Sequence, residues 1–162
     1  MPPRAMAAAA TGLTWILEAM KILVLNGPNL NMLGVREPAI YGKRTYSDLV
    51  GFIQREAGAL GVDVCVRQSN CEGELVSWIQ SALGEFDAIV INAAAYTHTS
   101  VAILDALKAV ALRTVEVHLS DPSAREEFRR RSYVSLAAEA VFKGRGFDSY
   151  ADALRHLAKG EV

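Results

Sequence analysis

The chemistry most readily imagined for this chain begins at Glu116-Val117-His118. In an extended strand, residues two apart share a face, so a carboxylate here stands beside an imidazole while Val115, Val117 and Leu119 turn the other way. A carboxylate in that position fixes the ring tautomer and favours the charged, proton-donating form of histidine. A buried Glu–His pair that only braces the sheet has the same spacing, and the residues alone leave both readings open. A second polar cluster follows Asn92, where Tyr96-Thr97-His98-Thr99-Ser100 offers hydroxyls suited to capping the next helix. Backbone amides at that helix start, with Asn92 and His98 beside them, suit a carboxylate or the hydroxyls of a small substrate; a plain cap is the alternative. The third is the stretch from Asn26 to Gly42, which carries Arg36 and Tyr41. Connections of about 15 residues are uncommon in small α/β domains and tend to be lids or binding loops. A solvated arginine and a half-buried tyrosine are the plainer account of the same residues.

Other chemistries lack their residues. There is no GxxxxGK[ST] phosphate loop, and Gly144 with Gly146 is too weak a signal for a dinucleotide site. The three histidines, His98, His118 and His156, form no HxxxH or HExxH cluster, so no metal is expected. No GxSxG elbow occurs and Cys71 has no base beside it in sequence, which disfavours a covalent nucleophile. Lys21, Lys43, Lys108, Lys143 and Lys159 all sit outside the strand-end motifs, which disfavours an imine mechanism. With 17 lysines and arginines against 18 acidic residues the net charge is -1, and the broad positive footprint of a nucleic-acid binder is missing. No apolar run reaches the roughly 18 residues that a membrane-crossing helix needs. Cys65 and Cys71 lack metal-ligand spacing and are expected as free thiols in a reducing compartment.

The elements that must position these groups follow from the period of the apolar residues, which switches repeatedly after Lys21. Ile22 to Leu25, Val62 to Val66, Ala88 to Ile91, Val115 to Leu119 and Ala140 to Phe142 are short apolar runs, as expected of parallel strands covered on both faces. Between them lie helical stripes: Leu49, Phe52, Ile53 and Leu60; Leu75, Ile79, Ala82 and Leu83; Val101, Leu104, Ala106 and Leu107. Tyr150, Leu154 and Leu157 mark a closing helix. Thr45 with Asp48 reads as a capping box, and Asp121-Pro122 reads as a second helix start. Strands alternating with helices predict a three-layer α/β domain with a five-stranded parallel sheet, whose ligand sits outside the carboxyl ends of the strands. Residues 1–20 are expected to be an extension outside the core; a docking helix or an export signal are the alternatives. Residues 21–162 are expected to form a single catalytic domain.

Taken in order, Asn26-Gly27-Pro28-Asn29-Leu30, Arg36-Glu37-Pro38 through Tyr41-Gly42, Gln68-Ser69-Asn70, Tyr96-Thr97-His98-Thr99-Ser100, Glu116-Val117-His118-Leu119-Ser120 and Ala124-Arg125-Glu126-Glu127-Phe128-Arg129 resemble type II 3-dehydroquinate dehydratase. The resemblance runs from about Lys21 to about Leu157. It implies a flavodoxin-like fold, a cytoplasmic dodecamer built from trimers, and reversible anti elimination of water from 3-dehydroquinate without a cofactor. By position, Tyr41 would be the general base at C2 and His118 the general acid for the leaving hydroxyl, with Glu116 orienting His118. Asn29 would stabilise the enolate through a water, and Arg36 would polarise the tyrosine. Asn92, His98, Leu119, Ser120 and Arg129 would hold the substrate, and Asp105 would reach in from a neighbouring subunit. An ordinary tyrosine, with pKa about 10, is only about 0.1% phenolate at pH 7. Two nearby cations can supply the missing shift, so Arg125 joins Arg36 as an activator. Three departures from the family pattern stand out: Cys71 where histidine is common, Ala94 where glycine is frequent, and Asp121-Pro122-Ser123 before Ala124. Ala94 is a concern only if the backbone there needs a positive φ. A non-catalytic binding module of the same fold is the rival from another functional class.

Overall fold

The computed structural model describes residues 18–35 and 37–160. Arg36 and most of the 1–20 segment therefore lie outside the described residues, as does the side chain of Tyr41. Five strands, β1 (Lys21–Asn26), β2 (Asp63–Gln68), β3 (Ala88–Asn92), β4 (Arg113–Val117) and β5 (Ala140–Phe142), form one sheet in the order β2-β1-β3-β4-β5. Every pairing is parallel. This is the flavodoxin-like order, with its switch point between β1 and β3. Register brings Asn26 level with both Gln68 and Asn92, so three amides stand abreast at the carboxyl edge.

Among the described residues there are five α-helices, α1 (Pro38–Tyr41), α2 (Tyr46–Leu60), α3 (Glu72–Ser81), α4 (Val101–Val110) and α5 (Asp148–Ala158), of which α2 to α5 form the layers. Ile22, Val24, Val90, Val115 and Val117 pack with α2 and α5 on one face of the sheet. Leu23, Leu25, Ile89 and Ile91 pack with α3 and α4 on the other. Alternation along each strand sends successive side chains into these two separate cores. Helix α2 starts where its capping box was expected, with Thr45 accepting from the Asp48 amide and Asp48 accepting from the Thr45 amide.

The structure corrects several details of the sequence reading. Val101 is half exposed, and Ile103 takes the inward position instead. The two are two residues apart, about 200° around a helix, and the remaining stripe of Leu104, Ala106 and Leu107 faces inward with Ile103. Leu83 is exposed because α3 ends at Ser81, after which helical periodicity no longer places side chains. Strands β2 and β5 are only partly buried rather than covered on both faces, since they form the two sheet edges. Asp121 does cap, accepting from the Ser123 amide at 3.0 Å, but only a three-residue 3-10 turn follows before Arg125 returns to extended backbone.

Candidate active site

A cavity of about 100 Å³ opens at the carboxyl edge of the sheet. Asn29, Asn92, His98, His118, Leu119, Ser120, Arg125 and Arg129 all line it, so the fold gathers eight of the twelve expected site residues around one space. Glu116 lies directly behind His118. Asp105 is exposed on α4 and lines no part of this cavity. Tyr41 closes α1, whose backbone follows Glu37 in the connection after β1.

One wall is built from the end of β4 and the residues that follow it. Glu116 is 1% exposed and His118 7%. The His118 Nε2 stands 2.6 Å from Glu116 Oε1, which makes Nε2–H the donor to the carboxylate and leaves Nδ1 as the other ring nitrogen. Ser132 donates to the same carboxylate oxygen at 2.7 Å, and Ser135 donates to Oε2 through a very short bond. Burial alone pushes the Glu116 carboxyl up, but hydrogen bonds from His118, Ser135 and Ser132 together hold it below the ordinary carboxylate range. The carboxylate thus stays charged although removed from water, and it holds the imidazole in one tautomer. Sequence reasoning missed both serines. They lie in a polar segment without periodicity, and nothing in one dimension ties them to a strand some twenty residues earlier.

At the centre of the edge, Tyr150 from α5 joins two strands. Its hydroxyl donates to Asn26 Oδ1 at 2.6 Å and accepts from Asn92 Nδ2 at 3.0 Å. Burial raises the Tyr150 phenol well above its ordinary value and keeps it neutral. Asn92 Oδ1 accepts the Ala94 amide at 3.2 Å, which sets the orientation of the side-chain amide a second time. The sequence marked Tyr150 only as one apolar stripe residue. Gly27 is required here: a Cβ would meet the Ala93 carbonyl oxygen at 2.5 Å, where the chain leaving β1 crosses the chain leaving β3. Ala94 has φ 49°, so an alanine holds a backbone conformation that glycine adopts without penalty.

The remaining polar groups converge from loops. The His98 Nδ1 lies 2.6 Å from the Arg131 carbonyl, to which its N–H donates. Arg129 pairs with Glu126 at 2.7 Å. Arg125 stands 3.6 Å from Glu37, which ties the β4 side of the cavity to the connection that carries Tyr41. Asp121, at the cavity margin, is held at about 2 by Ser123 and Lys143. Among the described residues, no three histidine, cysteine or acidic side chains cluster as metal ligands would. Cys65 and Cys71 are both unpaired thiols, and Cys71 starts α3 without a side-chain cap.

Comparison with known proteins gives one consistent result. The family model described as dehydroquinase class II matches residues 20–158. A 3-dehydroquinate dehydratase of Phenylobacterium zucineum is 57% identical over 137 residues, covering 85% of this chain and 94% of that one. One from Corynebacterium glutamicum is 55% identical over 138 residues, covering 85% and 95%. Among solved structures, the type II dehydroquinase of Butyrivibrio crossotus superposes with a TM-score of 0.84 at 44% identity, covering 86% of this chain and 97% of that one.

Proposed function

The chain belongs to the class II dehydroquinase family and is a 3-dehydroquinate dehydratase, a hydro-lyase; from that premise we propose how its residues divide the reaction. Tyr41, as phenolate, takes the proton at C2 next to the ketone. The enolate oxygen so formed is stabilised by Asn29 through a water. His118 then protonates the departing hydroxyl, and water leaves as the conjugated enone of 3-dehydroshikimate forms. Both proton transfers are internal to the site and reverse in the hydration direction, so no cofactor takes part.

The observation that carries this reading is the buried Glu116–His118 pair, which opens onto a cavity already lined by Asn29, Asn92, His98 and Arg129. A histidine held by an ionised carboxylate is a competent proton donor, and general acid catalysis of this kind contributes about 10²- to 10⁴-fold. Presenting an ordinary tyrosine as phenolate at pH 7 costs about 4 kcal/mol, the upper end of what one nearby cation supplies, so two cations are a sufficient pair. Arg125 supports the base role because it already reaches Glu37, four residues before Tyr41. Arg36 is the second cation of the proposal. Asn92, His98, Leu119, Ser120 and Arg129 hold the substrate carboxylate and hydroxyls, with Asp105 supplied by a neighbouring subunit of a dodecamer built from trimers. The exposed position of Asp105 on α4 is compatible with that origin. The proposal places the enzyme in the cytoplasm, in aromatic biosynthesis or quinate breakdown, with residues 21–162 as its single catalytic domain.

Purified protein given 3-dehydroquinate is expected to produce the enone absorbance, and borohydride added with substrate is expected to leave no covalent adduct. Folded protein that binds dehydroquinate without enone formation would make it a binding module. A trapped adduct would move the mechanism to an imine.

A further inference from the structure

Asn29 reaches the cavity from a backbone that is not relaxed: its φ is 68° and its ψ -2°, a left-handed conformation at the entrance to the 3-10 turn Leu30–Met32. Asparagine tolerates that region better than most residues, but a loop position held there still needs an anchor. The anchor comes from the loop after β2. The Asn29 backbone N–H donates to Asn70 Oδ1 at 3.0 Å. The same oxygen accepts from Gln68 Nε2 at 3.1 Å, and Gln68 Nε2 also reaches the Gly27 carbonyl at 3.2 Å. Asn70 is in turn fixed through its main chain, where its carbonyl accepts the Tyr96 hydroxyl at 2.7 Å.

We propose that Asn70 is a positioning residue for the dehydration, holding the Asn29 backbone so that its side chain addresses the developing enolate oxygen. The inference rests on the reading of Asn29 given above. The side chain acts here purely as an acceptor: Oδ1 takes two donors, and neither of these bonds uses the Asn70 NH2 group. An aspartate at this position would therefore do the same work, and an alanine would not. Electrostatic stabilisation of an oxyanion is a transition-state effect, so misplacing Asn29 should lower kcat with little change in KM.

The test combines kinetics with a readout that needs no substrate. With 3-dehydroquinate, Asn70→Ala is expected to lose about tenfold in kcat with KM within about twofold, and Asn70→Asp to return to within about threefold of the parent. Added to Asn29→Ala, the Asn70→Ala change should cost nothing further, because two groups acting as one unit are not additive. In parallel, NMR hydrogen exchange at the Asn29 amide should quicken in Asn70→Ala and stay slow in Asn70→Asp. Wild-type exchange in Asn70→Ala would overturn the anchor itself. A changed amide with unchanged kcat, or losses that add in the double variant, would overturn its catalytic consequence. An inactive parent enzyme would count against the reading of Asn29 and the reaction, while the exchange data would still decide whether Asn70 anchors that backbone.

Discussion

His118 and Tyr41 sit in two regions built in opposite ways. The proposed acid side is a strand end: Glu116 and His118 are buried, and each oxygen of the carboxylate is met by a named donor. The proposed base side is a connection running through a 3-10 turn and the four-residue α1, where Leu30 and Leu33 are buried but residues 37–40 are exposed. Among its described non-glycine residues, Asn29 and Glu37 have positive φ. It is tied to the remainder of the site by a few long-range contacts, among them Asn29 to Asn70 and Glu37 to Arg125. In the proposed reaction, then, the proton donor is set by the sheet edge, whereas the proposed base depends on a loop whose geometry is borrowed from its neighbours.

If the two sides are partners in one reaction, removing either reactive group should be the most damaging change available. Tyr41→Phe and His118→Ala are each expected to lower kcat by about 10³-fold with the fold intact, read from enone absorbance and circular dichroism. Equal activity in either variant would break the pairing. Next in size, Arg125→Ala should lower kcat/KM by about 10²-fold and move the activity optimum to higher pH, since a phenol that loses a neighbouring cation ionises less readily. An unshifted pH profile would confine Arg125 to substrate binding.

Glu116→Gln should cost about tenfold in kcat and, in addition, alter acid stability. The Glu116 carboxyl is held below its usual 4.5 in the folded protein, so its contribution to stability is present above that pH and is lost as the pH falls through the folded value. Chemical denaturation followed from pH 6 down to about pH 3 should show a shallower decline in Glu116→Gln than in the parent. An identical slope would mean that the acid side is not held by an ionised carboxylate. The smallest expected effect is Ala94→Gly, which removes a left-handed alanine and should raise stability by about 0.5–1 kcal/mol, seen as a rise of a few degrees in Tm. A fall would show that the Ala94 methyl packs usefully against the core.

The Glu116–His118 pairing was legible in the sequence, because the two residues are two apart at the end of β4, Glu116 inside it and His118 just past Val117, and a period of two is all that places them together. The five strands and the Thr45 capping box were legible for the same reason, being local patterns. Val101 and Leu83 misled where a helix had just begun or just ended, since periodicity extrapolates past a boundary that only the cap defines. The supports were not legible. Ser132, Ser135, Asn70 and Tyr150 act through partners 16 to 124 residues away, and polar residues in loops carry no period that points to a distant strand end. The concern at Ala94 was legible as a residue-type departure, and the positive φ gives it physical content.

The division of labour between the two sides is tested most directly by following deuterium uptake at C2 of 3-dehydroquinate in D2O, by NMR, in His118→Ala beside Tyr41→Phe. The account predicts that His118→Ala still exchanges the C2 proton while failing to eliminate water, and that Tyr41→Phe loses both. Exchange that persists in Tyr41→Phe and vanishes in His118→Ala would contradict it and reverse the two roles.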